Sequence, residues 1–125
     1  MQISDKPRRH GVGAAFGYAF AGLSTAWRSE RNLRIHAAIA LAVVILGTVL
    51  RLRPLAWGLL VFAIGLVLVT ELLNSAIEAV VDLVSPHDDP LAKRAKDVAA
   101  AAVLVAALTA AAIGALVAVF SLGSP

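Results

Sequence analysis

The stretch PLAWGLLVFAIGLVLVTELLNSAIEAVVDL, residues 54–83, decides how the chain is read. From Leu55 to Val69 it is continuously apolar, and a helical pattern persists from Glu71 to Leu83. Pro54 suits the first helical position, where its missing N–H would have no partner anyway. At 1.5 Å per residue the helix is about 45 Å long, more than a ~30 Å hydrocarbon core can hold, so its far end must emerge from the bilayer. That end carries Glu71, Asn74, Glu78 and Asp82. The three acids fall within about 20° of one helical direction, with Asn74 about 60° to one side.

The rest of the composition agrees with a membrane chain. Of 125 residues, 60% are hydrophobic and 15% charged, with a mean hydropathy of +0.86. Soluble domains carry nearer a quarter charged residues. The +3 formal charge and pI near 10.0 fit basic loops at anionic headgroups better than nucleic acid. Without cysteine there is no disulfide, thiol chemistry or thiolate-held metal, so a metal must bind oxygen or one of three histidines.

Outward from the central helix, a first span is expected over residues 33–50, closed by Arg51 and Arg53 before the turn into Pro54. Residues 85–90, Ser-Pro-His-Asp-Asp-Pro, form a turn-rich break. Lys93, Arg94, Lys96 and Asp97 make a short charged segment before a third span over 98–120, which has no charge. Within it Ala102, Ala106, Ala110, Gly114 and Ala118 recur every four residues as a seam for close helix approach. Upstream, Phe16, Phe20, Leu23 and Trp27 stack on one face of a glycine-rich segment over 11–28, which predicts an amphipathic helix in the interface plane and not a cleaved signal peptide. Residues 1–10 read as a basic tail. The whole, 1–125, reads as one all-α membrane domain.

Three spans place the chain ends on opposite sides. Nine basic residues (Lys6, Arg8, Arg9, Arg28, Arg31, Arg34, Lys93, Arg94, Lys96) share one side, against Arg51 and Arg53 on the other. The positive-inside bias then puts the N-terminus and the acidic stripe in the cytoplasm.

Carboxylates at a membrane boundary are costly unless they face protein, water or a cation, so a row of them is a functional candidate. The plain alternative is a solvated helix end paired with Arg94 or Lys96. Glu30 and the Lys96-Asp97 pair lie on the same side and can complete a pocket of carboxylates, an amide and a lysine. Phosphoryl transfer needs such a set: oxygen ligands for Mg²⁺, a cation for phosphate, and a carboxylate to accept a hydroxyl proton. No Gly-x-x-x-x-Gly-Lys-Ser/Thr run is present, which excludes a P-loop. His36, one turn inside the membrane, is expected to satisfy a polar partner. Arg34 is expected to reach headgroup phosphates, and Trp27 and Trp57 to anchor opposite interfaces.

The run Glu71-Leu72-Leu73-Asn74-Ser75-Ala76-Ile77-Glu78-Ala79-Val80-Val81-Asp82, followed by Ala95-Lys96-Asp97, resembles the signature of the bacterial integral-membrane diacylglycerol kinase and undecaprenol kinase family. The resemblance extends from Gly17-Tyr18 through Trp27 and Glu30 to the third span. It implies a homotrimer in the bacterial inner membrane that uses MgATP to phosphorylate a lipid hydroxyl at the cytoplasmic face. It further implies Glu71 as general base, Glu30 and Glu78 as metal ligands, and Asn74 as a member of the catalytic cluster. Lys96, Asp97 and Tyr18 would lie at the nucleotide, His87 and Asp88 in a loop over its phosphates, and Asp82 in a supporting role. Glu30-Arg31-Asn32-Leu33-Arg34-Ile35-His36 and Lys96-Asp97-Val98-Ala99-Ala100 are similar to the Gram-positive undecaprenol kinase branch. Undecaprenol is therefore the expected acceptor and diacylglycerol the alternative.

Two readings from other classes are weighed against this. An ion-translocating ring subunit predicts one acid near mid-bilayer, not several at one end beside a lysine. A lipid-binding membrane protein predicts no affinity for MgATP.

Overall fold

The computed structural model describes residues 11–123, which form four helices: α1 Val12–Ser29, α2 Arg31–Val49, α3 Pro54–Val84 and α4 Pro90–Leu122. The basic tail expected over 1–10, His10 included, and residues 124–125 lie outside the described residues. Among the described residues there is no strand, and α2, α3 and α4 are each long and apolar enough to cross a membrane.

The observed α4 begins eight residues earlier than the span expected from Val98. Asp89 explains the difference: its Oδ1 accepts from the backbone N–H of Leu91 at 2.6 Å and of Ala92 at 3.2 Å, with Pro90 in the first turn. That is the arrangement an Asp-Pro pair favours at a helix start, since the carboxylate satisfies N–H groups that have no intrahelical acceptor. The charged segment is consequently helical, and Lys93 Nζ reaches Asp97 at 2.5 Å one turn on.

α3 and α4 pack antiparallel along their lengths and supply most of the core. On α3 the buried positions are Leu60, Ala63, Val67 and Glu71; on α4 they are Ala99, Ala106 and Val117. The four-residue alanine seam is met only in part. Ala106 is buried, Ala110, Gly114 and Ala118 are half-buried, and Ala102 is exposed. A step of four residues overshoots a full turn by about 40°, so such a strip winds off any straight contact line, whereas steps of seven and eleven stay on it. Large apolar side chains elsewhere, such as Phe62 at 65% and Leu104 at 60% exposure, face outward, as lipid-facing or partner-facing positions must.

α2 packs on α3, and α1 touches both, but neither α1 nor α2 touches α4 among the described residues. Glu30 alone separates α1 from α2, with extended backbone angles of φ −98° and ψ 106°. Arg34 holds this junction by donating from Nη1 to the carbonyls of Trp27 at 2.8 Å and Arg28 at 3.1 Å. Its role is therefore a cap on the last turn of α1, where carbonyls lack partners. The α1 stripe stays uncovered, with Phe16 at 63% and Phe20 at 68% exposure.

At the opposite end of the molecule α2 closes in a Schellman turn. Leu52 N–H bonds to Gly47 O and Arg51 N–H to Thr48 O, both at 3.2 Å. Arg51 occupies the left-handed position at φ 52°, where glycine is usual and a side chain costs about 1–2 kcal/mol. Trp57, expected only as an interfacial anchor, packs its ring on Gly47, so closely that an added Cβ would lie 2.9 Å from Cη2.

Candidate functional site

The acidic stripe divides by depth. Glu71 is buried at 3% exposure as the last of the four buried positions of α3, although it is a carboxylate on a spanning helix. A solvated helix end does not explain this position, because an ionised carboxylate loses several kcal/mol of hydration on burial unless charge or hydrogen bonds replace it. The compensating group comes from α2: His36 Nε2 lies 3.0 Å from Glu71 Oε1. The contact is at ion-pair distance, yet no donor is aligned on that oxygen for a hydrogen bond. His36, expected to satisfy a polar partner, stands beside the central acid but leaves that oxygen without a hydrogen bond.

One turn on, Asn74 Nδ2 donates to Glu78 Oε1 at 3.1 Å, which fixes the amide with its Oδ1 buried and without a hydrogen bond. Two buried oxygens, Glu71 Oε1 and Asn74 Oδ1, are thus unsatisfied on adjacent turns beside the half-buried Glu78. Unpaired buried oxygens of this kind are uncommon and suit a hard cation or a donor hydroxyl. Among the described residues no three acidic or histidine side chains surround a single point. The oxygen donors are of the kind Mg²⁺ takes, but they are not gathered around one point, and Glu30 lies at the α1–α2 junction.

Farther out, Asp82 is exposed and ion-paired with Lys96 of α4, as the plain solvated-end reading expects for this one acid. The same two side chains line a cavity of about 530 Å³ between the end of α3, the 85–89 turn and the first turns of α4. His87 and Asp88 line it too, and Ser85 Oγ donates to the His87 carbonyl at 3.3 Å across the turn. The structure thus gathers Asp82, His87, Asp88 and Lys96 around one opening. Asp97 pairs with Lys93, which also lines the cavity, but does not itself line it. Tyr18 is 61% exposed on α1, and Glu30 lies within 3.3 Å of Ser29 Oγ at the α1–α2 junction.

Two contributors escaped the reading of residues alone. The capping role of Arg34 depends on the sharp α1–α2 corner, which no spacing rule reveals. Asp89 carries a legible signal, the Asp-Pro pair, which suits a helix N-cap as well as the turn expected there.

A family model described as prokaryotic diacylglycerol kinase matches residues 17–118. The chain is 46% identical over 101 residues to a diacylglycerol kinase of Synechocystis sp., covering 80% of this chain and 58% of that relative. The chain thus spans less than two thirds of the length of that relative. It is 44% identical over 103 residues to an undecaprenol kinase of Bacillus subtilis, covering 82% and 84% of the two chains. It is 40% identical over 96 residues to a diacylglycerol kinase of Escherichia coli, covering 77% and 79%.

Proposed function

The chain belongs to the prokaryotic diacylglycerol kinase family, and from that premise we propose that it transfers the γ-phosphoryl group of ATP to the hydroxyl of a membrane lipid, most directly undecaprenol. The observation that carries the reading is the buried Glu71 with His36 at 3.0 Å, a carboxylate kept at the membrane boundary at an energetic cost that a structural role does not require.

In this reading Glu71 accepts the proton of the lipid hydroxyl as that oxygen bonds to the γ-phosphorus. The bond from phosphorus to the bridging oxygen breaks, and ADP departs with its electron pair. Asn74 holds Glu78 in place through its amide. Lys96 meets the phosphate oxygens from α4 after exchanging its Asp82 partner, and His87 and Asp88 cover them from the turn. Asp97 and Tyr18 complete the nucleotide contacts. Mg²⁺, when bound, would be held by Glu30 and Glu78 with Asn74 Oδ1 as a fitting neutral donor, and would neutralise developing charge on the phosphates. Since α1 and α2 do not reach α4 within one chain, a homotrimer, with neighbouring copies completing each site, agrees with this division of residues. The nine-to-two distribution of basic residues supports a cytoplasmic site in the bacterial inner membrane.

The similarity of Glu30–His36 and Lys96–Ala100 to the undecaprenol kinase branch favours the polyprenol acceptor. The diacylglycerol kinases among the relatives keep diacylglycerol as the second reading. The test is transfer from labelled ATP by the purified protein, with undecaprenol and diacylglycerol offered side by side. Label is expected chiefly in undecaprenyl phosphate. Glu71→Gln is expected to lower transfer about 100-fold or more while the protein stays assembled. Transfer to neither lipid by folded protein overturns the kinase reading, and full activity of Glu71→Gln overturns the base assignment alone.

A further inference from the structure

The end of the molecule remote from the acidic stripe carries a second charged feature with no role in phosphoryl transfer. Arg51 and Arg53 are the only basic residues of the α2–α3 turn, and the seven acidic side chains among the described residues, Glu30, Glu71, Glu78, Asp82, Asp88, Asp89 and Asp97, lie in the segments at the other end. No Asp or Glu among the described residues of the same chain lies beside them. Among the described residues neither guanidinium makes a side-chain hydrogen bond or ion pair.

Both arginines line a groove of about 620 Å³ between the start of α3 and the end of α4. Its walls are otherwise mainly apolar, with Leu55 and Leu59 from α3 facing Leu116 and Val117 from α4. The N-terminus of α3 opens beside it without a capping side chain and without an acid in its first turn, so first-turn N–H groups add to the positive potential. The backbone supplies an independent sign. Arg51 takes the left-handed position of a Schellman turn at φ 52°, which glycine would fill without strain. A side chain kept in such a conformation against its backbone preference is a mark of a functional requirement.

From these observations we infer that this groove is a binding site for an anionic phospholipid. The phosphate lies between Arg51, Arg53 and the α3 N-terminus, and an acyl chain lies along Leu55, Leu59, Leu116 and Val117. Charge complementarity selects this occupant: a zwitterionic lipid brings its own ammonium beside the two guanidinium groups and leaves their net charge standing, and a second apolar helix brings no anion at all. The site is at the opposite end from the proposed kinase chemistry and does not depend on it.

Trp57 packs one helical turn from the groove, so it can report the lipid, and a Trp27→Phe background leaves it as the only tryptophan. The protein is reconstituted in phosphatidylcholine bilayers containing a small, equal fraction of brominated phosphatidylglycerol or brominated phosphatidylcholine, and quenching of Trp57 is compared. Enrichment of the anionic lipid by roughly fivefold for each arginine is expected. Arg51→Gln/Arg53→Gln should bring the two lipids to equal quenching, and Arg51→Lys/Arg53→Lys should keep the preference. Arg51→Gly serves where the double variant fails to fold: it should raise the unfolding midpoint by relieving the turn while weakening the lipid preference. Equal quenching by both lipids in the unaltered arginine turn, or a preference untouched by Arg51→Gly and by the Gln pair, overturns the inference. Efficient disulfide formation between copies through Leu116→Cys, in a chain without other cysteines, would show a second copy in the groove and overturn it equally.

Discussion

Replacing Gly47 by alanine tests the packing that holds the α2–α3 turn. In an open helical position Gly→Ala stabilises by about 1 kcal/mol, because glycine loses more backbone freedom on folding. At Gly47 the new Cβ would stand 2.9 Å from Trp57 Cη2, 3.1 Å from Trp57 Cζ2 and 3.1 Å from Leu52 Cδ1. Carbon atoms prefer about 3.5–4.0 Å, so the indole must retreat by roughly 0.5–1 Å. Trp57 is half-buried on α3, and its backbone N–H is tied to the Arg53 carbonyl, so the backbone cannot easily yield and the ring must. Overpacking of this kind costs about 1–3 kcal/mol, which offsets or outweighs the helical gain and leaves Gly47→Ala destabilised by up to about 2 kcal/mol. Gly58 and Gly65 provide internal controls, since a Cβ at either meets nothing within 4 Å. Their alanine variants should be as stable as the parent or more so. Reversible unfolding in detergent, followed by Trp57 emission in a Trp27→Phe background, gives both signs in one experiment. If Gly47→Ala matches Gly65→Ala in midpoint, with Trp57 emission unshifted, the argument from the 2.9 Å contact is wrong.

Other substitutions separate stability from chemistry. His36→Ala removes the neighbour 3.0 Å from Glu71, whose side chain is 4% exposed, and should cost on the order of 3 kcal/mol in detergent unfolding together with most phosphoryl transfer. An unchanged midpoint would show that Glu71 does not depend on this imidazole. Asp89→Ala deletes both capping hydrogen bonds of α4 and should cost about 0.5–2 kcal/mol, with faster amide exchange confined to residues 90–97. Lys96→Met should lower transfer from ATP without moving the unfolding midpoint, because its Asp82 partner is exposed and such pairs add little stability. A loss of stability equal to the loss of activity would recast Lys96 as a structural residue.

Most of the architecture was legible in local pattern. Apolar runs longer than any soluble helix needs, broken by Arg-rich or Pro-containing turns, located α2, α3 and α4 to within a few residues at most ends, because hydrophobic length is a property of the chain and not of its packing. The acidic stripe was legible as well, since spacings of seven and eleven define one helical face whatever surrounds it. The eight-residue error at α4 arose where two local signals compete: Ser-Pro-His-Asp-Asp-Pro contains both a turn and an N-cap, and the cap begins the helix before the charges end.

Sequence by itself thus determined the membrane class, the number of apolar helices, the family signature and the end of the molecule where the acids gather. Tertiary structure decided what each acid does there. Glu71 is buried against His36 and Asp82 is an exposed partner of Lys96, although both share one helical direction with Glu78, whose hydrogen bond from Asn74 is local to α3. The reason is that helical periodicity fixes the direction of a side chain about its own axis, whereas burial and pairing depend on which neighbour stands opposite. That neighbour is α2 at Glu71 and α4 at Asp82, an assignment made only when the helices pack.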